Sequence, residues 1–446
     1  MIISLKPDQF SVLPVTVAAL AALMILVSPS PMKAETQTKV SGQVRYRFEA
    51  ADRIFAPGLK ESLFSLLRTR VAVDATVEDN TRLFIQFQDS RTIGGFDNES
   101  GAPVSATLNN GRNVDIHQAL IQVKSFFGEG WGLMAGRFEF NLGNQRTFGA
   151  VGWDNVGRVM EGATLWYDTE RFRITGWDFK AVENNDPQLG AGAGVDNTDF
   201  DIFGLHSTIK EIELELFGSY EYIALESPTA GENLLDRFSL GGYISRSNES
   251  VDITANAVLQ FGEQVVTGAL APVQDISAFM LTAEVGYTIE GAGKGRVALG
   301  ADVASGDDNP TDDKVNTFAN LFYTGHKFRG YMDYFLASNR EGLIDLMLRG
   351  KVDPTNGWTL GADIHYFSLA KDGFDRLGAA TKSLGVEVDV TVATTRIKGM
   401  KFQSGLSLFF ASETSALIPG SSFFTAATLA DPDPGAWAYM QWVANF

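Results

Sequence analysis

The dominant pattern in this chain is a strict alternation of polar and apolar side chains after residue 38. In the segment 39–50, Gln43, Arg45 and Arg47 interleave with Val44 and Tyr46. A period of two is typical of a β-strand with one wet face and one apolar face. The same alternation recurs in short segments as far as Phe446. The sequence therefore predicts an all-β protein whose strands each separate water from an apolar environment.

The connections between the predicted strands alternate between short and long. Glu78, Asp79 and Asn80 alone separate two strands, whereas a long stretch rich in Gly, Asn and Ser follows Arg91. Outer-membrane β-barrels have short turns on the periplasmic side and long loops outside. In a soluble β-sandwich, nothing requires the short connections to lie at one end of the strands and the long ones at the other. We therefore predict a transmembrane antiparallel β-barrel of about 18 strands, with long extracellular loops partly folded into the pore.

The segment 306–341 decides the strand count. Residues 325–336 are of types common in strands, but counting them as a strand gives an odd total that places the last strand in the wrong direction. Bacterial single-chain barrels have an even number of strands. We therefore assign 306–341 to one long outer loop that can fold inward.

The first 34 residues have the layout of a secretory signal peptide. A mostly apolar run from Val12 to Val27 is followed by Ser-Pro repeats and ends near Ala34. The run is shorter than the roughly 20 apolar residues that a membrane-spanning helix needs. We expect residues 1–34 to be removed and residues 35–446 to form a single barrel.

The last strand ends in Phe446, which resembles the terminal aromatic by which outer-membrane barrels are recognised for insertion. We therefore expect the mature chain in the outer membrane of a Gram-negative bacterium, inserted by the barrel-assembly machinery. Its expected partners are outer-membrane lipid, lipopolysaccharide and a transported solute, and we expect a monomer.

Composition limits the chemistry available. The chain has no cysteine, which excludes disulfides and cysteine metal sites. Its four histidines lack metal-ligand spacing, and no catalytic motif is present, so we expect neither a cofactor nor an enzyme.

The net charge of -18 argues against binding of nucleic acid. The acidic stretch 307–313 lacks the glycine of an EF-hand loop, and calcium binding there stays open.

Arginines cluster in the first seven predicted strands at positions expected to face the lumen. Arginine stays charged and holds carboxylates through a planar fork, so a wet wall of arginines attracts anions. The alternative is that these arginines pair with Asp74, Asp89, Asp115 and Glu161 and only satisfy the lumen. The cluster consists of Arg45, Arg47, Arg68, Arg70, Arg82, Arg137, Arg158, Arg171 and Arg173.

The stretch 136–162 is a polar loop between two predicted strands, too rich in arginine and aromatic residues for a simple connection. With 306–341 it is predicted to narrow the pore. The predicted pore-lining set contains the arginines of this cluster except Arg173. It also contains Asp89, Arg91, Asp115, His117, Arg146, Asp154, Glu161 and His326.

Two long motifs resemble the alginate export family of outer-membrane barrels. The first spans residues 136–162, and the second is T-F-A-N-L-F-Y-T-G-H-K-F-R-G-Y-M-D at 317–333. The resemblance implies an eighteen-stranded pore with an arginine-rich constriction that passes a polyuronate. Tyr323, Phe328 and Glu161 depart from the family pattern and leave the solute open.

We therefore expect a passive channel for an anionic, alginate-like polysaccharide or oligosaccharide, with a small-solute porin as the alternative.

Overall fold

The computed structural model describes residues 36–52, 62–93, 114–182, 198–225, 234–265, 273–291, 293–309, 311–336, 339–375, 377–412, 415–416 and 434–446. The predicted signal peptide lies outside these residues. Helix within these ranges is confined to two short 3-10 turns, Lys210–Ile212 and Gly325–Lys327. Neither is long or apolar enough to cross a membrane.

Eighteen long strands and one two-residue strand make up the sheet. They are β1 (Thr36–Asp52), β2 (Ser62–Val77), β3 (Thr81–Ile93), β4 (Asp115–Val123), β5 (Trp131–Phe138), β6 (Met160–Asp168), β7 (Phe172–Val182), β8 (Thr198–Ile209), β9 (Leu214–Leu225), β10 (Leu235–Ser247), β11 (Val251–Val265), β12 (Val273–Ile289), β13 (Lys294–Ala304), β14 (Lys314–Val315), β15 (Leu343–Thr355), β16 (Trp358–Phe374), β17 (Ala380–Thr394), β18 (Met400–Ala411) and β19 (Gly435–Asn445).

The long strands form a closed antiparallel barrel. β1 pairs with β2 on one side and with β19 on the other, so that Arg45 lies opposite both Arg68 and Val443. A closed sheet has no edge, and each backbone amide and carbonyl can pair with a neighbouring strand without water. The predicted barrel of 18 strands is confirmed. The short β14 runs parallel to part of β12 and belongs to a loop.

The strands separate an apolar outside from a filled inside. Along β12, Phe279, Leu281 and Val285 are exposed, whereas Met280 and Thr282 between them are buried. The buried face belongs to the lumen, where loops cover it. Outer residues that a water-soluble protein would bury are therefore available to lipid.

Aromatic rings mark both ends of the outer face. Phe203, Tyr220, Phe238 and Phe261 form one stacked row across β8–β11, with centroid distances of 6.4, 4.5 and 5.5 Å between successive rings. Near the short turns, Trp131 packs on Tyr167 at 5.0 Å. Such girdles are typical of the two interfaces of a membrane barrel.

Two long connections fold into the barrel. The first lumen loop, residues 139–159, joins β5 to β6, and the second lumen loop, residues 305–342, joins β13 to β15. The stretch 325–336 is not a barrel strand, as the strand count predicted. Arg158 lies in the first lumen loop, just before β6 begins at Met160, and not at the head of that strand as expected.

The two ends of the second lumen loop meet at a glycine. A Cβ atom on Gly306 would lie 1.9 Å from the backbone carbon of Glu341 and 2.0 Å from its oxygen. The neighbouring Asp307 amide donates to the carbonyl of Arg340 at 2.6 Å. Only glycine allows this approach, because it has no side-chain atom to place between the two backbones.

We predict that Gly306→Ala destabilises the barrel by about 1–3 kcal/mol, since the added methyl group forces the loop ends apart. Chemical unfolding of the protein in detergent, followed by electrophoretic mobility of the folded form, measures this change. Gly291→Ala is the matched control, because nothing lies within 4 Å of a Cβ there, and it should leave the midpoint unchanged. Equal midpoints for the two variants would contradict the prediction.

Candidate functional site

Four buried arginines lie side by side on the inner wall formed by β1 and β2. They are Arg45, Arg47, Arg68 and Arg70, each at most 9% exposed. Arg45 lies directly opposite Arg68 in the strand register. Because side chains two residues apart share a face of a strand, the alternating sequence brings all four to the lumen. We call them the arginine ladder.

The arginine ladder binds the first lumen loop through backbone carbonyls. Arg45 donates to the carbonyl of Gly152 at 2.9 Å and to that of Asp154 at 2.7 Å. Arg68 donates to the same two oxygens at 3.2 and 2.9 Å. A carbonyl satisfies a guanidinium without removing its charge. The contacts therefore fix the loop without supplying a negative charge to either guanidinium.

The other two arginines repeat this arrangement along the loop. Arg47 donates to the carbonyl of Trp153 at 2.7 Å, and Arg70 donates to that of Val156 at 3.1 Å. Gln88 on β3 donates to the same Val156 oxygen at 2.9 Å. All five carbonyls of residues 152–156 thus accept hydrogen bonds from side chains of the wall, and the donor to the Asn155 carbonyl is the Ser90 hydroxyl on β3.

Only two carboxylates contact the arginine ladder among the described residues. Glu49 accepts from Arg47 at 2.7 Å, and Glu139 accepts from Arg70 at 3.0 Å. Arg45 and Arg68 have no carboxylate partner there. The ladder therefore carries excess positive charge, which distinguishes it from a set of neutral ion pairs.

His117 joins the ladder because β4 carries a bulge. Gln118 lies opposite Gln86, but Ile116 lies opposite Phe87, so His117 is the extra residue and turns toward the lumen. Its Nε2 lies 3.0 Å from Glu139 Oε1. It also lies 2.9 Å from Nη2 of the ladder residue Arg70.

The second lumen loop pairs with the first. The Gly149 amide donates to the Phe322 carbonyl at 2.8 Å, and the Thr324 amide donates to the Gln145 carbonyl at 3.0 Å. The ring of Phe148 stacks on that of Phe322 with centroids 5.4 Å apart. The two loops form one body inside the barrel.

Asp302 on β13 ties both loops to the opposite wall. It accepts from Arg146 of the first lumen loop and lies 3.4 Å from Nε of Arg329 in the second. All three side chains are buried. The Arg146 guanidinium also lies 4.1 Å above the ring of Phe328. Among the described residues, this one carboxylate is the only one within 4 Å of either buried cation.

A column of stacked groups crosses the lumen. Arg47 lies 4.0 Å above Trp153, and Trp153 stacks on His326 at 4.2 Å with an interplanar angle of 12°. His326 in turn stacks on Tyr331 at 5.2 Å. The Nδ1 atom of His326 lies 2.8 Å from a carboxylate oxygen of Asp333. The column connects the wall of β1 with both loops.

A polar cavity of about 310 Å³ lies beside the first lumen loop. It is lined by Arg137, Val151, Asp154, Gly157, Arg158 and Val159. Arg137 pairs with Glu161 on β6, and Arg158 donates to the carbonyl of Tyr323 at 3.1 Å. Burial, and the nearby charge of Asp333, raise the pKa of Asp154, whereas burial lowers the pKa of Arg158.

The remaining predicted residues lie in four other places. Arg82 forms two hydrogen bonds with Asp74 at the short-turn end of β2 and β3. Asp115, the first residue of β4, is exposed. Asp89 and Arg91 bind each other and lie two and four residues after the exposed Phe87, on the same face of β3, which is the outer face.

Arg171 lies in the exposed turn before β7. The structure therefore does not bring Asp89, Arg91 or Arg171 to the lumen, in contrast to the expectation from residue type. The arginine ladder, His117, Arg146, Asp154, Arg158 and His326 do come together there. Whether any of them contacts a solute stays a prediction.

Sequence reasoning missed an acidic wall that lies three to six strands from β1 around the barrel, on the side of β19. It consists of buried or half-buried carboxylates on β13 and β15–β17: Asp302, Asp345, Asp363, Glu387 and Asp389. His365 lies among them, with Nδ1 2.9 Å from Asp345. The spacing of two between Glu387 and Asp389 was the available signal, since it places both side chains on one face of β17.

A closed eighteen-stranded barrel with an apolar outer face and charged loops inside defines an outer-membrane channel. Residues 36–439 match the model of the alginate export family, and the chain belongs to this family. No curated protein sequence matches the chain. Within the described residues, no group of three or more His, Cys, Asp or Glu side chains could hold a metal ion.

Solved outer-membrane proteins share the fold. OccK8 (OprE) of Pseudomonas aeruginosa is 11% identical with a TM-score of 0.57, over 92% of this chain and 98% of that one. OpdK of the same organism, solved with vanillate, is 10% identical with a TM-score of 0.55, over 92% and 98%. Acinetobacter baumannii OccAB4 is 11% identical with a TM-score of 0.54, over 94% and 100%. At these identities the likeness concerns the fold alone.

We predict that Asp302→Asn destabilises the protein by about 3–5 kcal/mol and raises single-channel conductance, because Arg146 and Arg329 lose their shared buried carboxylate. Unfolding and bilayer conductance measure the two effects. The matched control is Asp168→Asn, which breaks an exposed pair with Lys210 and should cost about 0–1 kcal/mol. A variant that matches the control in both measurements would refute the role of Asp302.

Anion preference should depend on pH through Asp154. Because its pKa is raised, this carboxyl binds its proton at a higher pH than the ordinary value of about 3.9. As pH falls through this window the lumen loses one negative charge, and the chloride-to-potassium permeability ratio should rise. Reversal potentials in a KCl gradient measure the ratio.

The matched variant for this prediction is Asp154→Asn. It should begin with a higher ratio at pH 7 and lack this component of the rise. Parallel pH curves for the wild type and the variant would rule out Asp154 as the titrating group.

Proposed function

We propose that this channel passively passes an anionic, alginate-like polysaccharide or oligosaccharide along the arginine side of its lumen. The observation that carries this proposal is the arginine ladder, in which Arg45 and Arg68 bind backbone carbonyls instead of carboxylates. Neither guanidinium has a carboxylate within 4 Å among the described residues, so this basic wall would focus the field on passing anions.

Arg137 and Arg158 are the arginines best placed to contact a solute directly. Both line the polar cavity of about 310 Å³ beside the first lumen loop. The chain of a polyuronate carries one carboxylate on each sugar ring, and guanidinium groups bind carboxylates in a bidentate manner. The ladder behind the loop supplies the field, and these two side chains supply the contacts.

The second candidate is a porin for small solutes. Arg82 and Arg137 are each paired with an aspartate or a glutamate, as a purely structural role requires. OpdK, which has a similar fold, was solved with vanillate, a small aromatic carboxylate. In this case the arginines only form ion pairs and hydrogen bonds inside the barrel, and the channel does not prefer anions to cations.

The partners follow from the outer surface. We propose that lipid and lipopolysaccharide contact the apolar outer face between the aromatic girdles. The barrel-assembly machinery would recognise β19, whose neighbour Phe446 exchanges two backbone hydrogen bonds with Gly42. The channel would act as a monomer, since the barrel encloses its lumen without a second chain.

We predict that Arg158→Ala lowers the chloride-to-potassium permeability ratio about two- to fivefold, since a unit charge about 4 Å from an ion is worth roughly 1 kcal/mol in water. Reversal potentials of the purified protein in planar bilayers measure the ratio. Arg82→Ala is the control, because it removes the same charge from a side chain that is paired with Asp74. It should change the ratio less.

The small-solute porin predicts a different result. If the wild type passes chloride no better than potassium, and Arg158→Ala leaves the ratio where it was, the anion path is wrong.

A further inference from the structure

Two buried carboxyl groups of the acidic wall lie side by side beneath the second lumen loop. They belong to Glu387 and Asp389 on β17, which are 0% and 1% exposed. Because they are two residues apart in a strand, both point to the same face of the sheet. Each carboxyl group lies within hydrogen-bonding reach of the other. We call these two residues the acid pair.

The acid pair holds the backbone of the second lumen loop. Oε1 of Glu387 accepts from the Met332 amide at 2.8 Å. Asp389 interacts with the backbone of the preceding residue, Tyr331. A Cβ atom on Gly330 would lie 2.6 Å from the Glu387 carboxyl group, so the loop lies directly on the pair. Water can hydrate these carboxyl groups only if this part of the loop moves away from β17.

A single histidine is the only basic residue that forms an ion pair with the acid pair among the described residues. Nε2 of His365 lies 4.0 Å from Asp389, while its Nδ1 already lies 2.9 Å from Asp345 on β15. The other polar groups around the acid pair and His365 are Tyr331 and Asp333 in the second lumen loop, Arg349 on β15, Asp363 on β16, Ser407 on β18 and Tyr439 on β19.

The charges of this cluster do not balance without a proton. Even a protonated His365 would compensate only one of the three buried carboxylates of Asp345, Glu387 and Asp389. Two carboxyl groups buried side by side do not both ionise, because their charges repel each other and neither is hydrated. Oε2 of Glu387 also receives no hydrogen bond from an N–H or O–H group of the described residues. A proton held between the two groups removes one charge and supplies a donor.

The loop segment on the acid pair is strained and is part of the column that crosses the lumen. Gly330 and Asp333 have φ angles of 75° and 61°. A left-handed backbone at a residue other than glycine persists where the surrounding structure holds it. Between these two residues, Tyr331 stacks on His326 and forms the end of the column. Release of residues 330–333 from β17 would therefore free one end of the column.

We propose that the acid pair shares one proton and that this proton keeps residues 330–333 on β17. As the pH rises, the proton leaves to solvent, both carboxylates are charged, and they require water that the loop excludes. The loop then moves away from β17, the column separates, and the lumen widens. The loop is therefore held at low pH and released at high pH. This proposal concerns regulation of the channel and does not depend on which solute passes.

The test measures hydrogen exchange of residues 328–334 and single-channel conductance in potassium chloride with the full-length protein, over about pH 5–9, where buried carboxyl groups titrate. The main variant is Glu387→Gln, an uncharged copy of the protonated carboxyl group, which can accept from Met332 and donate to Asp389. It should keep the loop on β17 at every pH. Because loss of one proton changes the ratio of released to held loop about tenfold per pH unit, the exchange rate of the wild type divided by that of the variant should rise by up to this factor. Conductance should rise with pH more in the wild type than in the variant.

Two further variants complete the test. Asp389→Asn is a second uncharged copy and should abolish the same pH response, which covers the case in which Glu387→Gln does not fold. Glu221→Gln on β9 is the matched control, because it changes a glutamate that is 1% exposed and is paired with Arg237. It should keep the response of the wild type.

The proposal is refuted if the pH curves of the wild type and of the folded uncharged copies run parallel in hydrogen exchange. It is also refuted if Glu221→Gln abolishes the response as they do. A difference in exchange without one in conductance would refute control of the pore by the acid pair. The proposed anion path is tested separately, by the response of the chloride-to-potassium ratio to Arg158→Ala.

Discussion

The interior of this barrel depends on hydrogen bonds between arginine side chains and loop carbonyls. Four guanidinium groups on β1 and β2 donate to the backbone of residues 152–156. A loop placed inside a barrel exposes carbonyls that water no longer satisfies, and each unmade bond would cost about 1–3 kcal/mol. Arginine meets this demand and keeps its charge. The same side chains therefore determine both the position of the loop and the potential of the lumen.

The position of the first lumen loop determines the rest of the interior. The second loop pairs with it through Gly149 and Gln145, and the stack of Trp153 on His326 joins the two. Both loops then reach Asp302 on the far wall. The lumen consequently has a basic wall on β1 and β2, an acidic wall on β13 and β15–β17, and two loops that contact these walls.

Much of the site could be predicted from the period-two alternation of polar and apolar residues. The errors arose where a residue was assigned to the lumen because it is charged, and not because of its position in the alternation. Asp89 and Arg91 follow Leu83, Ile85 and Phe87 at the same parity, so alternation already placed them on the outer face. Their charge suggested the pore, but near the long-loop end of a strand a charged outer residue lies close to water. His117 shows the opposite case, because the bulge that turns it inward depends on pairing with β3. Pairing of this kind is not visible in the sequence of β4 alone.

The sequence by itself determined the closed barrel, the wet and apolar faces, and the two loops that enter the lumen. These follow from local periodicity, from the lengths of connections and from an even strand count, all of which can be read along the chain. Only the tertiary structure decided which charges are compensated. Arg45 meets the carbonyl of Asp154 across 109 residues, and Arg146 meets Asp302 across 156. Whether an arginine binds a carbonyl or a carboxylate depends on the positions of loops that are distant in sequence. The fold determines the distances between these groups, and the sequence around each arginine does not.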